Sequence, residues 1–359
     1  MTSPAVNSSS ATSGSVTTAA SLGIVALTIY LLVVGESILM PFVLAIFIAY
    51  LIAALGHRIE RIQIKSWRPP SWLGLTLAIV IILVVIGVVV QIAAGNIRAV
   101  VVEAPHYQES LQALFGQGMA FAARLLRLDE PPTLATLAAG INLRAVVERF
   151  AGAFQSIATN TFQVVAYVMF LLLEMRTFDR KMKKMFPNSE REQMVRGTLS
   201  AMGSKIETYV LIKTGISLLN AVLSYIILRL FGVDFAAFWA LLVFVLNFIP
   251  YIGSPLAMLF PTVLALLQFN SFLTAAFVLA SLVGVQAFVE NVIEPQVTGK
   301  SLNLSPVAMI LSLATWGAIW GITGMILSVP LMVIVMIVLA QFPKTRPIAI
   351  LMSAHGDVD

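Results

Sequence analysis

Apolar runs long enough to enter a lipid bilayer recur along almost the whole chain, at about 20–35, 38–55, 72–94, 157–175, 210–231, 235–249, 255–269, 272–294 and 306–341. Hydrocarbon offers no hydrogen bonds to backbone, so a chain that crosses it does so as helices or as a closed barrel. Runs of roughly 20 continuous apolar residues are the helical signature, since a barrel strand needs only about 10 and alternates. With 59% hydrophobic and 11% charged residues, the composition agrees. The fold class expected is an all-α polytopic membrane protein.

Charge between the runs orients them. The stretch 56–71 carries Arg58, Arg61, Lys65 and Arg68 against Glu60, and between Arg176 and Lys205 eight basic residues face three acids. Basic loops stay in the cytoplasm. The stretch 95–156 balances five arginines against five acids and is placed outside. These biases divide the chain into a disordered cytoplasmic tail at 1–19 and three transmembrane helices within 20–94, the first two joined by a tight turn at Gly35-Glu36-Ser37. Extracytoplasmic amphipathic helices at 95–156 follow, broken at Asp129-Glu130-Pro131-Pro132. Then come a span at 157–175, a basic cytoplasmic helical segment at 176–209 opened by Ser189 and Glu192 in capping-box spacing, a core at 210–343, and a cytoplasmic tail at 344–359.

Two of the apolar runs contain helix breakers. Asn247-Phe248-Ile249-Pro250-Tyr251-Ile252-Gly253-Ser254-Pro255 interrupts the first, leaving arms of about 15 residues, each near 22 Å and short of the roughly 30 Å hydrocarbon. Ser305-Pro306 opens a 36-residue run that is too long for one span, and Trp316, Gly317, Trp320, Gly321 and Gly324 mark its break. Both read as broken or re-entrant hairpins, near 249–255 and 316–324, entering from opposite sides. That gives about eight nominal transmembrane helices. Irregular backbone at membrane depth persists only where it is buried in protein or lines a watery cavity, so these breaks mark a candidate pathway.

Polar residues at helical spacing point at the same place. Lys213, Ser217, Asn220 and Ser224 form a stripe on one face of the fifth span, and Gln286, Glu290 and Glu294 form another at 272–294. Depth counting brings Lys213, Asn247, Glu290 and Glu294 into the cytoplasmic half, where Lys213 is expected to pair with Glu290 or Glu294 beside Pro250. The candidate pathway is Lys213, Ser217, Asn220, Asn247, Pro250, Gly253, Gln286, Glu290, Asn291, Glu294 and Pro295.

Other chemistries find no support. The chain has no cysteine, and His57, His106 and His355 have no metal-ligand spacing. No Ser/His/Asp grouping suggests an enzyme, and Gly299-Lys300-Ser301 lacks the earlier glycine and the strand of a phosphate loop. No cofactor, metal or nucleic acid is expected; the net charge of +5 reflects basic loops and anionic-lipid contact.

The motifs Asn247-Phe248-Ile249-Pro250-Tyr251-Ile252-Gly253, Glu290-Asn291-Val292-Ile293-Glu294-Pro295, Gly299, Leu302-Asn303-Leu304-Ser305-Pro306 and Gly321-Ile322-Thr323-Gly324-Met325-Ile326-Leu327-Ser328-Val329-Pro330 resemble the autoinducer-2 exporter family of bacterial inner-membrane permeases. The resemblance is specific over about 200–345. It implies a multi-pass permease of the bacterial inner membrane, with both termini cytoplasmic, assembled as a homo-oligomer. Members are linked to export of the quorum-sensing signal autoinducer-2, others to exchange of sodium or lithium for protons. Where many members carry Gly-Gln in the fifth span, this chain has Ile212-Lys213. The first expectation is a secondary permease exporting a small polar solute such as autoinducer-2; the alternatives are a sodium(lithium)/proton antiporter and a non-transporting membrane scaffold.

Overall fold

The computed structural model describes residues 23–60, 70–126, 143–186, 188–298 and 303–357. The tail 1–19, the basic run 61–69, the break at 129–132 and Gly299-Lys300-Ser301 lie outside them. Every described element is helical apart from one isolated bridge, Leu304 to Ser353. The helices are α1 Gly23–Val34, α2 Glu36–Glu60, α3 Ser71–Leu126, α4 Leu143–Met185, α5 Ser189–Leu230, α6 Ala236–Leu246, α7 Gly253–Phe269, α8 Phe272–Phe288, α9 Pro306–Ala340 and α10 Arg346–Met352. Among the described residues five helices are long and apolar enough to cross a bilayer, or six if the two pieces of α4, bent by 64° between Met175 and Thr177, are one span. The protein is an all-α polytopic membrane protein.

Several helices run further than the apolar pattern alone indicates. The third span and the first amphipathic helix of 95–156 are one helix, α3, of 56 residues and about 84 Å. Its Tyr107 and Leu114 are buried against Leu228, Val233, Ala236 and Leu264. At the other amphipathic stretch, α4 likewise continues from 143 without a break into its span. The turn expected at Gly35-Glu36-Ser37 shrinks to Gly35 alone, with Gly35 N–H on Leu31 O at 2.9 Å and Leu39 N–H on Gly35 O at 2.8 Å. The break frees the Leu32 carbonyl, which accepts from the Trp320 indole at 3.1 Å. α5 starts where the capping spacing put it, but the cap is Asn188, whose side chain accepts from Glu190 N–H at 2.9 Å. A neutral amide at the N-cap takes an orphan donor as well as a hydroxyl does.

The first three long helices pack through small residues. Ala45, Ile52, Ala78, Val164 and Val168 form one buried cluster of α2, α3 and α4, and Gly74 lets the α2 backbone approach so closely that a Cβ there would lie 2.9 Å from Gly56 O. Lipid tails are as apolar as leucine, so close backbone approach rather than hydrophobic burial holds such helices together.

α5 is the rail of the second half. Its 42 residues, about 63 Å, touch α2, α6, α8 and α9. The first hairpin, α6 and α7, sits at its C-terminal end: Leu228, Val233, Ala236, Leu264 and Leu267 share one cluster, and Gln268 clamps the base by accepting from Asp234 N–H at 2.8 Å and donating to Gly232 O at 2.9 Å. α6 is only 11 residues, about 16 Å, too short to cross. α9 is the second hairpin. Trp320 (φ −127°) and Gly321 (φ 57°) reverse it, so that Ser312 Oγ donates to Ser328 O at 2.7 Å across arms 306–319 and 322–340. Ser305 caps the first arm, accepting from Ala308 N–H, with Pro306 at the first helical position. Its base lies toward the N-terminal end of α5, where Met336, Ile337, Ala340 and Gln341 face Gln193, Met194, Gly197 and Ala201. The two hairpins therefore have their bases at opposite ends of the rail and overlap along its middle. One apolar cluster joins Leu242, Val243, Leu246 and Ile249 of the first to Leu313, Met325 and Ile326 of the second.

Candidate functional site

Each tip is closed by a glycine pressed on a backbone carbonyl. A Cβ on Gly253 would lie 1.8 Å from Leu246 O, and one on Gly324 would lie 1.9 Å from Trp316 O. Only glycine, whose second hydrogen takes that direction, lets the return arm start so close to the end of the first. In the first tip the helix tightens as it ends, with Phe248 N–H on Val245 O and Ile249 N–H on Leu246 O, and Tyr251 is held left-handed at φ 61°. Such a φ is unusual and costly for a bulky residue.

Beside that tip lies a cavity of about 470 Å³. Asn247, Pro250, Tyr251 and Ser254 of the first hairpin, Tyr209 and Lys213 of α5, Gln286, Glu290 and Glu294 of the α8 segment, and Met309 and Val329 of the second hairpin line it. Six of the residues picked from the sequence thus share one wall: Lys213, Asn247, Pro250, Gln286, Glu290 and Glu294. Ser217 and Asn220 stand immediately behind, at 0% and 1% exposure. Gly253 is buried in the tip and closes it without lining the cavity.

Three polar links tie the wall together. Lys213 Nζ donates to Glu294 Oε1 at 3.1 Å, choosing Glu294 of the two expected partners. Asn247 Nδ2 donates to Ser217 Oγ at 2.9 Å and fixes the first tip to α5. The third link is a chain: Asn220 Nδ2 donates to Gln286 Oε1, Gln286 Nε2 donates to Ser254 Oγ at 2.8 Å and to Glu290 Oε1 at 2.6 Å, and Ser254 Oγ donates to the same Glu290 oxygen at 2.5 Å. Asn220 Oδ1 is the buried side-chain atom left without a partner among the described residues. Buried polar groups are nearly always satisfied, so this carbonyl is a place for a water or a solute group.

Two sequence candidates stand off the wall. Asn291 is exposed and donates to Ala287 O of its own helix at 2.9 Å, and Pro295 is exposed. Val289–Ile293 is π-helical, with Glu294 N–H on Val289 O, because Pro295 has no N–H for Asn291 O and its ring crowds that carbonyl. Glu294, which follows the π-turn, is the carboxylate bonded to Lys213. Pro295 in an apolar span was the available signal. Ser254, Tyr209, Met309 and Val329 were not picked; Ser254 lies inside the breaker stretch, whereas Met309 and Val329 reach the wall only because α9 folds back.

The sequence also has known relatives. A family model described as AI-2E family transporter matches residues 22–344. The chain is 30% identical over 322 residues to the AI-2 transport protein TqsA of Escherichia coli, covering 89% of this chain and 90% of that one. It is 30% identical over 355 residues to a Haemophilus influenzae transport protein with no stated substrate, covering 94% and 96%. A Borreliella burgdorferi transport protein is 38% identical over 178 residues, about half of each chain.

Proposed function

The chain belongs to the AI-2E transporter family, and from that premise we propose that it is a secondary permease whose solute passes through the cavity between the tip of the first hairpin and the arms of the second. The observation that carries this reading is the cavity itself: about 470 Å³, within the range of small-molecule sites, lined by irregular backbone and by convergent polar groups inside an otherwise apolar bundle. A small hydroxyl-rich solute needs donors and acceptors along such a path. Lys213, Asn247, Ser254 and Gln286 supply them.

Autoinducer-2 is the best-named solute, because the TqsA relative is described as its transport protein. In this reading the basic end, with Arg180, Lys181, Lys183 and Lys184, faces the cytoplasm of a bacterial cell, and the hairpins alternate access to the cavity from the two sides. Purified protein in proteoliposomes should release autoinducer-2 faster than protein-free vesicles, and Lys213→Ala should slow that release about tenfold. No flux above empty vesicles would sink the autoinducer assignment.

A second reading, cation/proton antiport, draws on Glu290. Its partners Ser254 and Gln286 are both uncharged, so no cation is bonded to this carboxyl group. The same vesicles, tested for sodium-driven proton movement, decide between them.

A further inference from the structure

Three ionisable charges line the cavity, and their pairing decides what can enter it. Lys213 is the only cation among the described lining residues, and its ammonium is held by Glu294 at 3.1 Å, with both side chains partly buried. Glu290 contacts only the uncharged donors Ser254 and Gln286. Lys213 and Glu294 cancel, so Glu290 sets the sum: minus one when ionised, zero when it holds its proton. In neither state does the wall offer an unpaired positive charge.

The other source of positive potential is the start of α7, whose backbone N–H groups would attract an anion. That position is already occupied. Ser254 turns its hydroxyl to Glu290, and Pro255 has no N–H to give. Lys213 nevertheless remains useful to an uncharged solute, because an ammonium has three donors and Glu294 takes one. A lysine whose charge is offset by its partner is a hydrogen-bond donor without being an anion trap.

The geometry points to the Lys213–Glu294 pair as the charge-selecting element of the cavity, which admits neutral or cationic solutes and rejects carboxylates and phosphate monoesters. This deepens the transport reading and takes its meaning from it. Glu294 is then a specificity residue: it stops Lys213 from recruiting anions.

The test is binding of radiolabelled sulfate to the purified protein. Glu290→Gln/Glu294→Gln leaves Lys213 without a carboxylate partner while keeping both side chains' shape and most of their hydrogen bonds. It should bind sulfate at least about tenfold more tightly than the wild type, and adding Lys213→Met should return binding to the wild-type level set by the exposed basic end. Equal binding by wild type and double variant, or a gain that survives Lys213→Met, overturns the assignment. A second measurement needs no variant: vesicles holding the wild type should release ribose 5-phosphate no faster than protein-free vesicles, and faster release overturns it outright. Failure of autoinducer-2 efflux alongside a sulfate gain in the double variant would remove the transport reading and leave the charge assignment standing.

Discussion

Glu290 is the residue on which the two transport readings separate. Its Oε1 accepts from Ser254 and from Gln286, and an amide oxygen at the same position can accept from both. Glu290→Gln should therefore leave the tip in place and lower autoinducer-2 efflux by less than about tenfold if the carboxylate only binds solute. If the carboxylate carries a proton in exchange for sodium, the same substitution should abolish sodium-driven proton movement entirely; the two assays on one preparation distinguish these outcomes. How well single residues could be read from the sequence depended on the signal used. Lys213, Ser217, Asn220 and Ser224 were placed correctly on one buried face because α5 is regular there. Asn291 came from a sequence motif rather than from helical spacing, and it faces away from the cavity wall.

At the scale of elements, the hairpin tips are made by backbone, and their weak point is a missing methyl group. Gly253→Ala or Gly324→Ala puts a carbon 1.8 or 1.9 Å from a carbonyl oxygen of the opposite arm, an overlap that no rotamer change relieves. Each substitution should cost at least about 3 kcal/mol, read as a lower melting temperature in detergent by scanning fluorimetry. Gly284→Ala on α8 is the contrast: nothing lies within 4 Å of its Cβ, and it should be neutral or stabilise by up to about 1 kcal/mol. Proline and glycine in apolar sequence announced both breaks, and the short arms announced that they fold back. The lengths of α3 and α4 were not announced, since an amphipathic helix that continues a span has the same pattern as one that stands apart from it.

For the molecule as a whole, the arrangement of two opposed hairpins on one rail makes a statement about sidedness that labelling can check. The chain has no cysteine of its own, so one introduced thiol is the only one present. Position 253 and position 320 are unsuitable, the first for the overlap just described and the second because Trp320 is 3% exposed and bonded to Leu32. Ile252→Cys and Ile322→Cys, at tip positions 47% and 53% exposed, are the better sites. In inverted vesicles and intact cells an impermeant maleimide should reach Ile252→Cys from the cytoplasmic side, where the cavity holding Tyr251 is expected to open, and Ile322→Cys from the other; labelling of both from one side would refute opposed hairpins. The likeness of the two hairpins was only weakly legible, because their sequences differ and the match lies in the glycine and carbonyl of each tip. That contact also constrains how this protein can have diverged. A carbonyl at 246 meets a glycine at 253, and one at 316 meets a glycine at 324, so an inserted or deleted residue between either pair would rotate the glycine off its partner. The stretches between can exchange their side chains over evolutionary time, but their lengths are fixed counts, whereas the loops at the hairpin bases are free to grow.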